Sequence, residues 1–219
     1  MSIAYFGIFI NGLTPILLVC CIIFLLYYVK EMIPAYLYVS LYLVLALLAS
    51  FTMTIVGKIF GNNLIIIPLF GFFELIFFYI LYVRFMDISR FRLLLSLLFV
   101  ASGSYMAYEC LTIDVNDVSS FQSYSRTIAS FIIVLFSMIY FFDKLTKGTD
   151  PSDSGLKLNT IILIFFSFNL IYFLPLNFLV GKNSQLLKFY FWFGYSCFFN
   201  LFYIYLTHAI WKNGRILKH

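Results

Sequence analysis

Seven stretches of this chain are each long and apolar enough to cross a bilayer, and only short polar connections separate them. They lie at about 3–29, 33–57, 63–85, 91–111, 121–142, 158–180 and 187–211, and a helical crossing needs about 20 mostly apolar residues. Inside hydrocarbon each backbone N–H and C=O must find a partner, and a helix supplies all of them within one segment. The pattern predicts an all-α integral membrane protein with seven transmembrane helices, arranged as a single heptahelical domain over residues 1–219. Charged residues make up 11% of the chain, whereas soluble domains carry about 25%. The longest connection, about 143–157, is too short for a soluble catalytic or DNA-binding module, so function has to reside in the membrane. The net charge of +5 comes from basic residues scattered through loops, which argues against a nucleic-acid partner.

The distribution of those basic residues sets the expected orientation. Lys30, Arg84, Arg90, Arg92, Lys144, Lys147, Lys157, Lys212, Arg215 and Lys218 fall on one side of a seven-helix arrangement. Lys58, Arg126, Lys182 and Lys188 fall on the other. Positive charge is retained on the cytoplasmic side, so the N-terminus is expected outside and the C-terminus in the cytoplasm. No basic residue precedes the first apolar run, and that run reads as an uncleaved anchor. Cys20, Cys21, Cys110 and Cys197 show no framework spacing and read as small buried residues.

The third stretch carries a carboxylate. Glu74 stands in the middle of PLFGFFELIFFYILY (68–82), where an ionised group costs about 2.5–3.5 kcal/mol on insertion scales and usually faces a bundle interior or a cavity. Depth along each helix, at about 1.5 Å per residue, places Asn169 and Asn200 with Glu74 near the midplane. Arg126 and Glu109 fall together about 10 Å further out, with Asn11, Tyr105, Ser130 and Tyr172 between the two levels. Gly71, one turn outward of Glu74, leaves room for a neighbour or a ligand. Two readings follow. One is an outward-facing polar pocket with Glu74 at its floor and Arg126 and Glu109 at its wall. The other makes Glu74 a structural group bonded to Asn169 or Asn200, and Arg126–Glu109 an ion pair that joins two helix ends. Ser137 and Tyr140 continue the Arg126–Ser130 stripe on the fifth helix. Ala46, Ser50, Thr54 and Gly57 form a small-residue ridge suited to close helix packing.

Several chemistries lack their residues. No lysine lies deep in the last helix to form a Schiff base, and the two histidines, His208 and His219, have no nearby carboxylate pair for a zinc site. Ser104 and His208 belong to opposite membrane faces, about 15 Å apart along the helix axes, too far for nucleophile and base. Asp87, Asp114, Asp117, Asp143, Asp150 and Asp153 all fall in expected loops. Enzymatic activity is therefore not expected, and neither a metal nor another cofactor. A small-solute transporter of 3+1+3 helices would show matching broken helices in its two triplets, but Pro15 and Pro68 have no counterparts.

The segments ELIFFYILY (74–82), SYSRTIASFIIVLFSMIYFF (123–142) and FWFGYSCFFNLFYIYLTHAIWK (191–212) resemble an uncharacterised seven-transmembrane-helix family of Bacteroidota. That family is similar to membrane input modules of some histidine kinases. The resemblance implies a receptor-like or sensory protein of the cell inner membrane, surrounded by the lipid bilayer. It would bind a small-molecule or lipid ligand and signal through a protein partner, since no cytoplasmic segment is large enough to act alone. A transporter, or a membrane scaffold subunit without a ligand, are the alternatives.

Overall fold

The computed structural model describes residues 3–60, 63, 65–86, 88, 90–112, 124–150, 153–180 and 185–214. Among them the chain forms seven α-helices: α1 Ile3–Leu26, α2 Pro34–Phe60, α3 Ile66–Ile80, α4 Arg92–Thr112, α5 Ser125–Thr146, α6 Ser154–Val180 and α7 Gln185–Asn213. Their ends fall close to the apolar runs, because the same lack of polar side chains that defines a run forces its backbone into internal hydrogen bonds. Five helical stretches are long and apolar enough to cross a membrane: Pro34–Ile59, Ile66–Phe85, Arg92–Thr112, Ser125–Thr146 and Ser154–Pro175. Large apolar side chains such as Ile16, Leu48, Leu97, Val100, Ile171 and Leu201 stand exposed on the helices. Surfaces of that kind mark contact with lipid or protein rather than water. The chain is a helical membrane protein.

Where the sequence suggests one heptahelical domain, the packing separates two compact units, Met1–Ile55 with Lys182–His219, and Val56–Gly181. In the first unit α1 packs along α7, and Phe24 lies 6.2 Å from Trp211, centroid to centroid. The end of α7 is tied to the start of α2, since the Ile33 N–H donates to the Gly214 carbonyl at 2.7 Å. Gly214 is needed there: a Cβ would come 2.9 Å from Tyr36 Cβ. The small-residue ridge of α2 makes no close seam along its whole length. Ala46 is buried, but Thr54 is exposed and returns its hydroxyl to the Ser50 carbonyl at 2.9 Å.

The second unit is built around α5, which packs against α6, α3 and α4. The chain enters α6 through Asp153, whose Oδ1 accepts from the Gly155 and Leu156 N–H groups at 2.6 and 3.1 Å. That cap satisfies two donors which the first helical turn leaves open. It leaves α5 through Gly148, whose φ of 63° suits a residue without a Cβ. α3 ends in a wide turn over Leu81–Phe85, in which the Met86 N–H reaches back five residues to the Leu81 carbonyl at 3.0 Å.

Fixed contacts give the register of the three inner helices. Gly71 of α3 meets Arg126 of α5, and eleven residues on in α3 Tyr82 meets Phe136, ten residues on in α5; the two helices run parallel. α6 runs the other way, with Phe166 against Phe78 and Asn159 against Tyr82.

Candidate functional site

Glu74 is completely buried, and so, to within 2%, is Arg126. The guanidinium meets the carboxylate through both of its terminal nitrogens, Nη1 to Oε2 at 2.5 Å and Nη2 to Oε1 at 3.2 Å. This is the two-pronged geometry in which an arginine–carboxylate pair is strongest. Two aromatic rings flank the charge. The Arg126 guanidinium carbon lies 4.5 Å from the ring centroid of Phe70 on α3 and 5.3 Å from that of Phe173 on α6. Ring faces carry partial negative charge and attract the cation. α3, α5 and α6 therefore meet at one ion pair.

The close approach of α3 to α5 makes this possible. A Cβ on Gly71 would lie 3.4 Å from Arg126 Cα and 3.4 Å from Met106 Cε. The room expected beside Gly71 is thus taken by the backbone of Arg126, and the neighbour is the helix that supplies the counter-charge.

Glu109 has a different partner from the one the sequence suggests. Instead of pairing with Arg126, its Oε2 accepts from the backbone N–H groups of Tyr124 and Ser125, at 3.2 and 3.1 Å. A carboxylate from α4 thereby caps the first turn of α5, where unpaired N–H groups and the helix dipole concentrate positive charge. With that end neutralised, Arg126 turns inward to Glu74.

The other expected site residues divide by position. Ser130 is fully buried and donates to the Arg126 carbonyl at 3.0 Å. Tyr105 is 40% exposed on α4 and Tyr172 is half-buried on α6. Asn169 is 99% buried on α6, and neither its Oδ1 nor its Nδ2 has a hydrogen-bond partner. Asn200 is buried on α7, in the first unit, with its Oδ1 unpartnered. The side chain of Asn11 lies outside the described residues.

A second polar knot, nearer the Thr146 end of α5, escapes the sequence reading. Asn159 Oδ1 accepts from the Tyr82 hydroxyl at 2.7 Å and from Ser137 Oγ at 2.8 Å, and its Nδ2 donates to the Ser137 carbonyl at 3.0 Å. Three helices again converge on one amide. The signal in the sequence is Ser137 on the Arg126–Tyr140 stripe. Replacing Asn159 with leucine strands the Tyr82 hydroxyl and the Ser137 groups. It is expected to cost about 1–2 kcal/mol, readable as a lower thermal midpoint of the purified protein.

Asp143 corrects another expectation. It lies inside α5 rather than in a loop, fully buried, with Oδ2 2.6 Å from Lys147 Nζ one turn on. Ser104 is exposed and bonded to its own helix at the Val100 carbonyl, 2.8 Å away.

No family model, no curated protein and no solved structure matches the sequence. Fold and site together define a helical membrane protein whose second unit is centred on a buried, aromatic-flanked ion pair.

Proposed function

We infer that this is a receptor-like or sensory protein of the cell inner membrane. Its seven helices cross the bilayer with the N-terminus outside and the C-terminus in the cytoplasm, and it signals through a protein partner, as the Bacteroidota resemblance implies. The observation that carries the reading is the Glu74–Arg126 pair. An ion pair with no water contact is a weak source of net stability, because desolvating two charges offsets most of their attraction. Ionisable groups held inside a membrane mark functional sites by default. In this reading the α3–α5 pair, flanked by α6, opens and closes, and a ligand that favours one of the two states shifts the helices. The ion pair is the element that a ligand biases.

The test uses a variant that keeps the fold and removes the charges, Glu74→Leu with Arg126→Met. Wild type and variant are placed in nanodiscs with spin labels on α3 and α6, and small polar and lipidic compounds are screened for a change in the α3–α6 distance. A compound that moves the distance in wild type and not in the variant is the expected result. A compound that crosses liposome membranes through the protein supports the transporter instead. A screen in which nothing separates the two proteins leaves the scaffold role and ends the receptor reading.

A further inference from the structure

Asn169 is fully buried at the level of the ion pair, and both its donor and its acceptor are unpartnered. Its place follows from the register. Asn169 lies four residues before Phe173, which covers Arg126, and three after Phe166, which packs on Phe78. Those contacts, with Asn159 fixed on Ser137 and Tyr82, put Asn169 opposite residues 127–130 of α5 and 72–75 of α3. Glu74 and Ser130 are in those turns. So is Thr127, whose enclosed hydroxyl also has no partner. Two helices thus bring unmet hydrogen-bonding groups to one layer. A buried amide without partners forfeits its hydrogen bonds to water and is destabilising, and a leucine of similar size would avoid that cost.

We propose that Asn169 is the recognition group of a binding site for a neutral headgroup that presents a donor beside an acceptor, a carboxamide or a protonated carboxylic acid, on an apolar tail. The inference rests on the receptor reading above and names its ligand class. Three features select that chemistry. The Asn169 carboxamide offers Nδ2 and Oδ1 on one edge, which two parallel hydrogen bonds from a second amide or acid complete. The charges of Glu74 and Arg126 already cancel, so a charged headgroup would add an ion with no counter-charge in a low-dielectric layer. The neighbours are apolar rings, Phe166 and Phe173, while Phe168 and Ile171 on the same stretch of α6 stand exposed. A ligand therefore arrives from the lipid side between helices.

The probes are dodecanamide, dodecanoic acid at pH 5, dodecanol and dodecyltrimethylammonium, added to the full chain in nanodiscs. Dodecanamide and the protonated acid are expected to raise the thermal midpoint by several degrees at saturation, and the alcohol and the cation are not. Asn169→Leu is expected to raise the midpoint without any probe and to abolish the response to the amide. Carbonyl-labelled dodecanamide supplies a measurement that needs no variant: its infrared carbonyl band moves to lower frequency when paired with Asn169. Equal shifts from amide and alcohol mean that the apolar tail acts without recognition of the headgroup, and they overturn the proposal. An undiminished amide response in Asn169→Leu overturns it too, as does an unmoved infrared band. Amide binding that depends on Asn169 while the α3–α6 distance stays constant keeps the site and refutes the receptor reading alone.

Discussion

Replacing Arg126 with alanine is expected to lower the thermal midpoint of the purified protein by roughly 10 °C. The change leaves the Glu74 carboxylate uncompensated where it has no contact with water, and breaking one side of a buried pair costs about 3–5 kcal/mol. It also takes the cation from between Phe70 and Phe173. Removing both charges should behave differently. Glu74→Leu with Arg126→Met fills the same space with apolar atoms, and its midpoint is expected to return close to that of wild type. Thermal unfolding of the two single variants and the double variant gives the coupling directly. A double variant as unstable as the singles would show that packing, rather than charge, holds this junction.

The second large effect is steric. Leucine at Gly71 cannot be accommodated without moving α3 away from α5, because even its Cβ would reach 3.4 Å from the backbone of Arg126. Overpacking of this kind costs about 1–3 kcal/mol, and the helix shift lengthens both Glu74–Arg126 bonds as well. Alanine at the same position places its methyl group at ordinary contact distance and is expected to be nearly neutral. Comparing alanine with leucine by thermal unfolding separates the two sizes. Equal losses from both would mean that the close approach at Gly71 is not what limits the residue.

Helix ends were legible because they depend on a local quantity, the run of apolar side chains. The cost of Glu74 was legible for the same reason. Its partner was not. Depth along each helix offers Asn169 and Asn200 at its level and sets Arg126 about 10 Å further out, and finding the true partner requires the rotation and neighbours of each helix, which no single segment encodes. Arg126 and Glu109 do share one level, yet the first N–H groups of α5 outcompete the guanidinium for Glu109. Backbone donors at a helix start carry no side-chain signature, and this is why the swap escapes a reading of residue types. Asn159 was overlooked because it sits at the polar fringe of its apolar run, where an amide normally meets water. In the folded unit it is fully buried beneath Tyr82. Asp143 was expected in a loop because the apolar run ends just before it, although its four-residue spacing to Lys147 is that of a helical ion pair.

The wide turn at Leu81–Phe85 has a consequence for chain length. Between Glu74 and Tyr82 the helix has no slack, since both residues are bonded to neighbours and one residue removed there would rotate one of them by about 100°. The wide turn, Leu81–Phe85, takes in Tyr82 near its start, holds one residue more than an α-turn and ends before the buried Met86 and Ile88. Deleting Val83 would let that turn close to ordinary helical spacing while both polar junctions kept their places. α3 thus carries its tolerance for insertion and deletion in a single turn at one end, and the segment joining its two polar junctions is fixed in length.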